Sequence, residues 1–210
     1  MRLSGFLAIG FMTWSLSAMA QQPLRPPQIA PFGDSQWWVM TEAIPTRIGR
    51  SEEIITVPKG FVTDLASIPR FFWATFPKTG QYMSAAILHD YLYWDQRCTR
   101  EQADRIFDIE MKSYGVNDTA RTLIFSAVSE LGASAWQANG AAKAGGELRF
   151  LPEPQLAHFL SQPFDATRTW PVIRSQIPRD PTRSGNSGAT DPNSQLATVC
   201  ARAIAANAGQ

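Results

Sequence analysis

The sequence predicts an α+β fold, in which a small N-terminal antiparallel sheet packs on about three helices and a proline-rich C-terminal extension follows. Three observations lead to this prediction. Runs rich in aromatic and β-branched residues precede Asp64, helical patterns begin after Gly80, and prolines recur beyond Gly145. We therefore expect the core α+β domain to occupy residues 36–145.

The first 20 residues have the layout of a secretory signal peptide. Arg2 precedes an uncharged apolar run that ends in the small-residue sequence Ala18-Met19-Ala20. We expect cleavage after Ala20 and export to the periplasm or the extracellular space. A membrane anchor is the alternative, because the apolar run is close to the minimum length for crossing a bilayer. Cleavage leaves 18 basic and 18 acidic residues, a balance that gives no sign of nucleic-acid binding.

The N-terminal part of the mature chain predicts a lead-in followed by strands. Residues 21–35 carry four prolines, so this segment is expected to be extended and to contribute no core. Residues 37–42 and Ile54–Val57 have strand composition and are separated by Pro45 and Gly49. A third short strand is expected at 61–63, and together the three form a small antiparallel sheet.

Three helices are predicted after the strands. Gln81 to Trp94 is apolar nearly all round, which is typical of a buried helix. The second runs from Thr99 to Tyr114, because Thr99 and Gln102 have the spacing of a capping box. The third begins at Asn117 or Asp118 and is expected to end at Asn139, before Gly140.

Beyond the helices, the prolines predict little regular structure. Residues 146–174 are expected to form an irregular wrap, and residues 175–210 a largely disordered tail with a short helix near Cys200. Cys98 and Cys200 allow one intrachain pair, which an oxidising compartment would preserve. The sequence leaves open whether they form a disulfide or two buried free thiols.

His89 and Asp90 are the candidate functional pair. They are the groups able to carry charge near neutral pH in an otherwise apolar helix, and a buried charge needs partners. They leave the helix in different directions, whereas His89 and Tyr93 share one face. One solution makes Asp90 a calcium ligand, with Asp64 as a second oxygen ligand, and leaves His89 to act as a general base.

The second predicted helix offers a carboxylate that could orient His89. Asp104 is followed three residues later by Phe107 on the same face, and Asp108 is the rival candidate. If the helix returns antiparallel to the first, Asp104 can accept from the second ring nitrogen of His89 and set its tautomer. The connection 95–98 is short enough for antiparallel neighbours.

Several motifs resemble a known family. They are VPKGFVTDLASIPRFFW, AAILHDYLYW and the later Ala-Asp-x-x-Phe, all within Ile55 to Trp136. Together these motifs are similar to a family of bacteriophages and bacteria known as domain of unknown function 1353. The resemblance implies kinship with this phage-related family and no particular activity.

The helix also resembles that of the secreted phospholipases A2, which carry His-Asp-x-x-Tyr on one helix and an Asp on an antiparallel helix. Here the matching residues are His89, Asp90, Tyr93 and Asp104. The resemblance implies that His89 is the catalytic base, that Asp90 binds calcium, and that Asp104 and Tyr93 orient His89. Asp64 matches the loop ligand of the bacterial and fungal relatives.

Two departures separate this chain from the phospholipases. Ile87-Leu88 stands where that family has a cysteine before the His-Asp pair. The glycine-rich calcium loop of the animal enzymes is absent, and Gly60–Asp64 is a shorter candidate. A zinc site built from His89, Asp64 and Asp90 is the third choice for these residues, since zinc sites usually draw on more His or Cys than this core contains.

Two functions from different classes follow. The first is an exported hydrolase, of calcium-dependent phospholipase A2-like type, with a lipid or membrane surface as its partner and the aromatic run 71–76 as a candidate contact. The second is a non-enzymatic envelope or phage-derived module, in which His89 and Asp90 are structural and Arg70 pairs with a carboxylate. Ser67 lacks the surroundings of a serine nucleophile.

Overall fold

A computed structural model describes residues 26–34, 36–65, 82–179 and 191–209 of the chain. The predicted signal peptide, the aromatic run 71–76 with Ser67 and Arg70, and the part of the expected disordered section at 180–190 lie outside the described residues.

Five short strands form two antiparallel sheets within the described ranges. They are β1 (Ile29–Pro31), β2 (Trp38–Met40), β3 (Ile44–Arg47), β4 (Ile54–Val57) and β5 (Val62–Thr63). One sheet has the order β1-β2-β5, and β3 pairs with β4 in the other. Trp38 of β2 lies opposite Thr63 of β5. The expectation of N-terminal antiparallel strands is confirmed, but as two small sheets.

Two strands, β1 and β3, were not expected. β1 lies in the predicted lead-in, and Phe32, directly after it, is fully buried against Phe159 and Trp170. The sequence did not reveal that Phe32 belongs to the core, because Phe159 and Trp170 lie far from it along the chain. β3 contains Pro45, which is tolerated because β3 lies at the edge of a two-stranded sheet.

Helices make up most of the rest of the described structure. They are α1 (Met83–Asp95), α2 (Arg100–Ser113), α3 (Asp118–Ala144), α4 (Glu153–Ser161), α5 (Trp170–Ser175) and α6 (Leu196–Ala206). The α+β prediction is therefore confirmed. None of the helices in the described ranges is long and apolar enough to cross a membrane.

The predicted helix starts agree with the structure where capping residues mark them. Thr99 accepts from the Gln102 amide, and the Gln102 side chain accepts in return from the Thr99 amide, which completes the capping box of α2. Asn117 caps α3 by accepting from the Ala120 amide. The predicted end of α3 was too early, because the helix continues through Gly140 into an alanine-rich turn before Gly145.

The C-terminal region is more regular than its prolines indicated. The segment expected to be an irregular wrap contains α4 and α5, whose prolines Pro154 and Pro171 lie in the first turn, where proline is tolerated. The described end of the chain packs into the core through α6. Cys98 and Cys200 form a disulfide, with their Cα atoms 6.1 Å apart, so α6 is covalently attached to the start of α2.

Helix α1 lies at the centre of the main core. It contacts α2, α3, β4 and β5, and every residue from Ala85 to Asp95 is buried. The all-round apolar pattern of the sequence is thereby explained, since α1 has neighbours on every side. This position forces the ionisable residues of α1 to find their partners inside the protein.

Candidate functional site

The site is centred on His89 in the middle of α1. The imidazole is only 3% exposed, and its ring stacks on Phe107 of α2 with the ring centroids 4.7 Å apart. On the adjacent turn of α1 the ring of Tyr93 lies 4.2 Å from it. Packing against these two aromatic side chains therefore restricts the orientation of the imidazole ring independently of its hydrogen bonds.

Asp104 of α2 lies against His89. Residues 96–99 return the chain along α1, and Asp104 Oδ1 lies 2.9 Å from His89 Nε2. Asp108 does not fill this place, because its carboxylate pairs with Arg105 and Arg121 instead. The choice between the two carboxylates, which the sequence left open, is settled by the geometry.

Asp104 accepts two further hydrogen bonds. The Tyr93 hydroxyl donates to Oδ1 at 2.6 Å, and the Arg100 guanidinium donates to Oδ2 at 3.1 Å. Only 2% of the Asp104 surface is exposed, so its carboxylate is hydrogen-bonded to three protein side chains instead of to water. Burial, followed by the hydrogen bond and charge of Asp104, raises the pKa of Tyr93, so its hydroxyl stays protonated and donates.

The arrangement determines the chemistry of the imidazole. A carboxylate only accepts hydrogen bonds, so the neutral form of His89 that suits Asp104 carries its proton on Nε2. The lone pair of the ring then lies on Nδ1. His89, Asp104 and Tyr93 together form a buried and oriented histidine whose second nitrogen has the electronic character of a base.

Asp90 has a separate environment from His89. Its Oδ2 accepts from the Thr63 hydroxyl at the end of β5, and Thr63 Oγ1 in turn accepts from the Leu65 amide at 3.0 Å. Leu65 has a φ of 52°, a left-handed conformation that is uncommon for a leucine. The hydrogen bonds of Thr63 thus connect Asp90 to a locally strained loop.

Asp64 pairs with a cation that lies far away in sequence. Arg149 Nη2 lies 2.9 Å from Asp64 Oδ1, and Arg149 also donates to the Val62 carbonyl and the Asn139 side chain. Asp64 keeps 30% of its side chain exposed, whereas 7% of Asp90 is exposed. The partners that the structure identifies for the two carboxylates are therefore different residues.

These donors do not by themselves complete a calcium site. Calcium takes about six to eight oxygen ligands. Of the two predicted ligands, Asp90 accepts a hydrogen bond from Thr63, and Asp64 forms a salt bridge with the Arg149 guanidinium. Within the described parts of the chain, no group of three or more His, Cys, Asp or Glu side chains could hold a metal ion.

Two residues of this region were missed by sequence reasoning. Arg100 lies four residues before Asp104 on α2, a helical spacing that could have identified it. Arg149 had no such signal, because it reaches Asp64 across 85 residues of sequence.

A cavity of about 580 Å³ lies apart from the His89 region. It is lined by Trp37, Trp170 and Arg179 among others, and none of the predicted site residues lines it.

The site lies within a segment that resembles a known family. Residues 38–128 match the family DUF1353, described as a protein of unknown function. The resemblance to DUF1353 drawn from the sequence motifs is confirmed over this range. The matched segment runs from β2 into α3 and includes His89, Tyr93 and Asp104, whereas Arg149 and Cys200 lie beyond it. No curated protein and no solved structure matches the chain.

Proposed function

We propose that the protein is an exported ester hydrolase of phospholipase A2-like type, in which His89 acts as the general base. The observation that supports this proposal is the Asp104 carboxylate, which lies at His89 Nε2 and accepts from the Tyr93 hydroxyl. The same residue types occur in the same order in the phospholipase helix pair that the sequence resembles. Asp104 and Tyr93 are positioning residues in this proposal.

The proposed reaction needs one proton transfer in each direction. His89 Nδ1 takes a proton from a water molecule while the water oxygen bonds to the ester carbonyl carbon, and the tetrahedral adduct forms. The adduct then collapses, the bond to the alcohol oxygen breaks, and the imidazolium returns the proton to the leaving alcohol. Asp104 stabilises the imidazolium and holds the ring without being protonated itself.

Calcium binding by Asp64 and Asp90 stays a separate prediction. It comes from the resemblance to the phospholipases, and the donors described above supply only part of a calcium coordination shell. Calcium titration of the protein, followed by calorimetry, tests the prediction directly. Heat release that disappears in Asp90→Asn would support it, and an absence of calcium binding at millimolar concentration would contradict it.

The experiment for the hydrolase compares matched histidine variants. Purified protein that begins at residue 21 is incubated with mixed phospholipid vesicles, with calcium and with chelator, and released fatty acid is measured. We expect release by the wild type and by His158→Ala, whose histidine is exposed on α4, and none by His89→Ala. Asp104→Asn should lower kcat by about 100-fold or more, because an amide favours the wrong tautomer.

A second candidate function is favoured by the burial of the pair. Since His89 and Asp104 are 3% and 2% exposed, their contact would also suit an interaction module in which it only stabilises the core. In that case His89→Ala lowers the melting temperature, and neither protein releases fatty acid or hydrolyses soluble esters of graded acyl length. Equal release of fatty acid by the wild type and His89→Ala would contradict the hydrolase proposal.

A further inference from the structure

One turn of α3 lies directly behind the Tyr93 hydroxyl. A Cβ atom placed on Gly132 would lie 2.3 Å from the Tyr93 hydroxyl oxygen and 3.2 Å from the ring carbon that carries it. Real side chains do not approach so closely. Gly132 is an interior residue of a long helix, where alanine would be the better helix former, so its lack of a side chain has a packing reason.

The same turn also places the second donor to Asp104. Arg100 Nη1, which donates to Asp104 Oδ2, donates as well to the Ser129 carbonyl at 2.9 Å. Ser129 and Gly132 lie three residues apart on α3, so both contacts come from one face of the helix. The two donors that accompany His89 at Asp104 are therefore placed by a single turn of a third helix.

Tyr93 has little room to give way. Its ring lies against His89 on one side, and the indole of Trp136 meets it edge-on with the centroids 5.2 Å apart. The residue is 5% exposed. A methyl group at Gly132 would therefore either displace the hydroxyl and break its 2.6 Å hydrogen bond to Asp104, or move α3 outward and draw the Ser129 carbonyl away from Arg100.

We propose that the α3 turn Ser129–Gly132 is the positioning element for Asp104 and, through Asp104, for His89. Gly132 is its key residue, because the space left by the missing side chain seats the Tyr93 hydroxyl. The effect on turnover rests on the proposed function. The effect on the His89 hydrogen bond does not, and it can be measured in a protein of any activity.

The first test is a double-mutant cycle on thermal stability. Because alanine is the better helix former, Gly132→Ala should raise the melting temperature if nothing opposes the methyl group. We expect it to lower the melting temperature in the wild type and to raise or preserve it in Tyr93→Phe, which lacks the colliding oxygen. The same change in both backgrounds would overturn the proposal.

The cycle stays decisive if a variant does not fold. A Gly132→Ala protein that is unfolded alone but folds in the Tyr93→Phe background supports the proposal, since the hydroxyl is then the obstacle. Failure of both proteins to fold would overturn it, because the obstacle would be something other than the hydroxyl. Ser134→Ala, at an exposed position two residues further along α3, is the control.

The second test follows the proton on His89 Nε2 by NMR. A buried ring N–H bonded to a carboxylate exchanges slowly with water and gives a downfield proton signal, whereas the exposed His158 does not. With two histidines in the chain, His158→Gln completes the assignment. We expect the signal to shift or broaden in Gly132→Ala and to stay unchanged in Ser134→Ala. An unchanged signal in Gly132→Ala would overturn the proposal.

Turnover separates this proposal from the proposed function. If the wild type hydrolyses phospholipid or soluble ester, Gly132→Ala should lower kcat by about tenfold or more with little change in KM, since the base is misplaced and the substrate contacts are not. Wild-type activity that the variant retains in full contradicts the positioning role. A wild type without activity contradicts the hydrolase, and the NMR result then decides the positioning role alone.

Discussion

Glu110 is the buried carboxyl whose titration should dominate the pH dependence of stability near neutrality. It lies on α2 with 2% of its surface exposed, and its Oε1 accepts from the Gly49 amide at 2.9 Å in the turn between β3 and β4. Burial raises the pKa of Glu110 from 4.5 to about 7, and the hydrogen bond from Gly49 offsets part of that increase. The folded protein therefore holds this proton more tightly than the unfolded chain.

The sign of the effect follows from linkage. Where the folded state binds more protons than the unfolded state, the free energy of unfolding decreases as pH rises. The contribution of Glu110 is thus complete below about pH 4.5 and is lost as pH approaches about 7. At about 1.4 kcal/mol per pKa unit, the loss between about pH 5 and about pH 8 is about 2.5 kcal/mol.

The substitution Glu110→Gln removes the ionisable carboxyl. Glutamine keeps an oxygen acceptor for Gly49 and cannot ionise, so the variant should lack the decrease of about 2.5 kcal/mol between the two pH values. Urea denaturation followed by circular dichroism at each pH measures the difference. Any constant cost of burying the amide cancels, because only the change with pH is compared between the two proteins.

Glu130→Gln on the exposed side of α3 is the matched control. It removes the same charge from the surface and should leave the pH dependence close to that of the wild type. Equal losses of stability in Glu110→Gln and the wild type over this interval, within about 0.5 kcal/mol, would refute a raised pKa of Glu110.

Three further predictions concern contacts that hold the described elements together. Replacing Cys98 and Cys200 together by alanine removes a link across 102 residues and should lower the free energy of unfolding by about 3 to 5 kcal/mol, and a wild type insensitive to reductant in urea melts would contradict this. Thr63→Val leaves Asp90 without the hydroxyl donor and should cost about 1 to 3 kcal/mol, measured by thermal unfolding; a variant as stable as the wild type would show that this bond contributes nothing. Asn193→Ala removes a side chain that is hydrogen-bonded to both backbone groups of Thr56 on β4 and to the Tyr91 hydroxyl on α1. We expect the free energy of unfolding to fall by about 2 kcal/mol and hydrogen exchange in β4 to become faster, and unchanged exchange would contradict this.

Local sequence patterns were enough for the main helices and part of the site. The all-round apolar pattern identified α1 as a buried helix, and the capping residues Thr99 and Asn117 identified the starts of α2 and α3. His89 and Tyr93 lie four residues apart on α1, and a short connection brings Asp104 back to them. These contacts were predictable because helical periodicity and a short loop determine the geometry over a few residues.

The tertiary structure decided the contacts that join distant parts of the chain. The sequence left the pairing of Cys98 with Cys200 open, and it gave no sign that Asp64 would face Arg149. Nor could it reveal that Gly132 makes room for the Tyr93 hydroxyl. The physical reason is that these contacts depend on the path of the backbone between the residues, which the packing of the whole core determines and no local period encodes. The sequence alone thus determined an α+β fold with a histidine beside Tyr93 and Asp104, and the structure alone decided which residues of α3 support that arrangement.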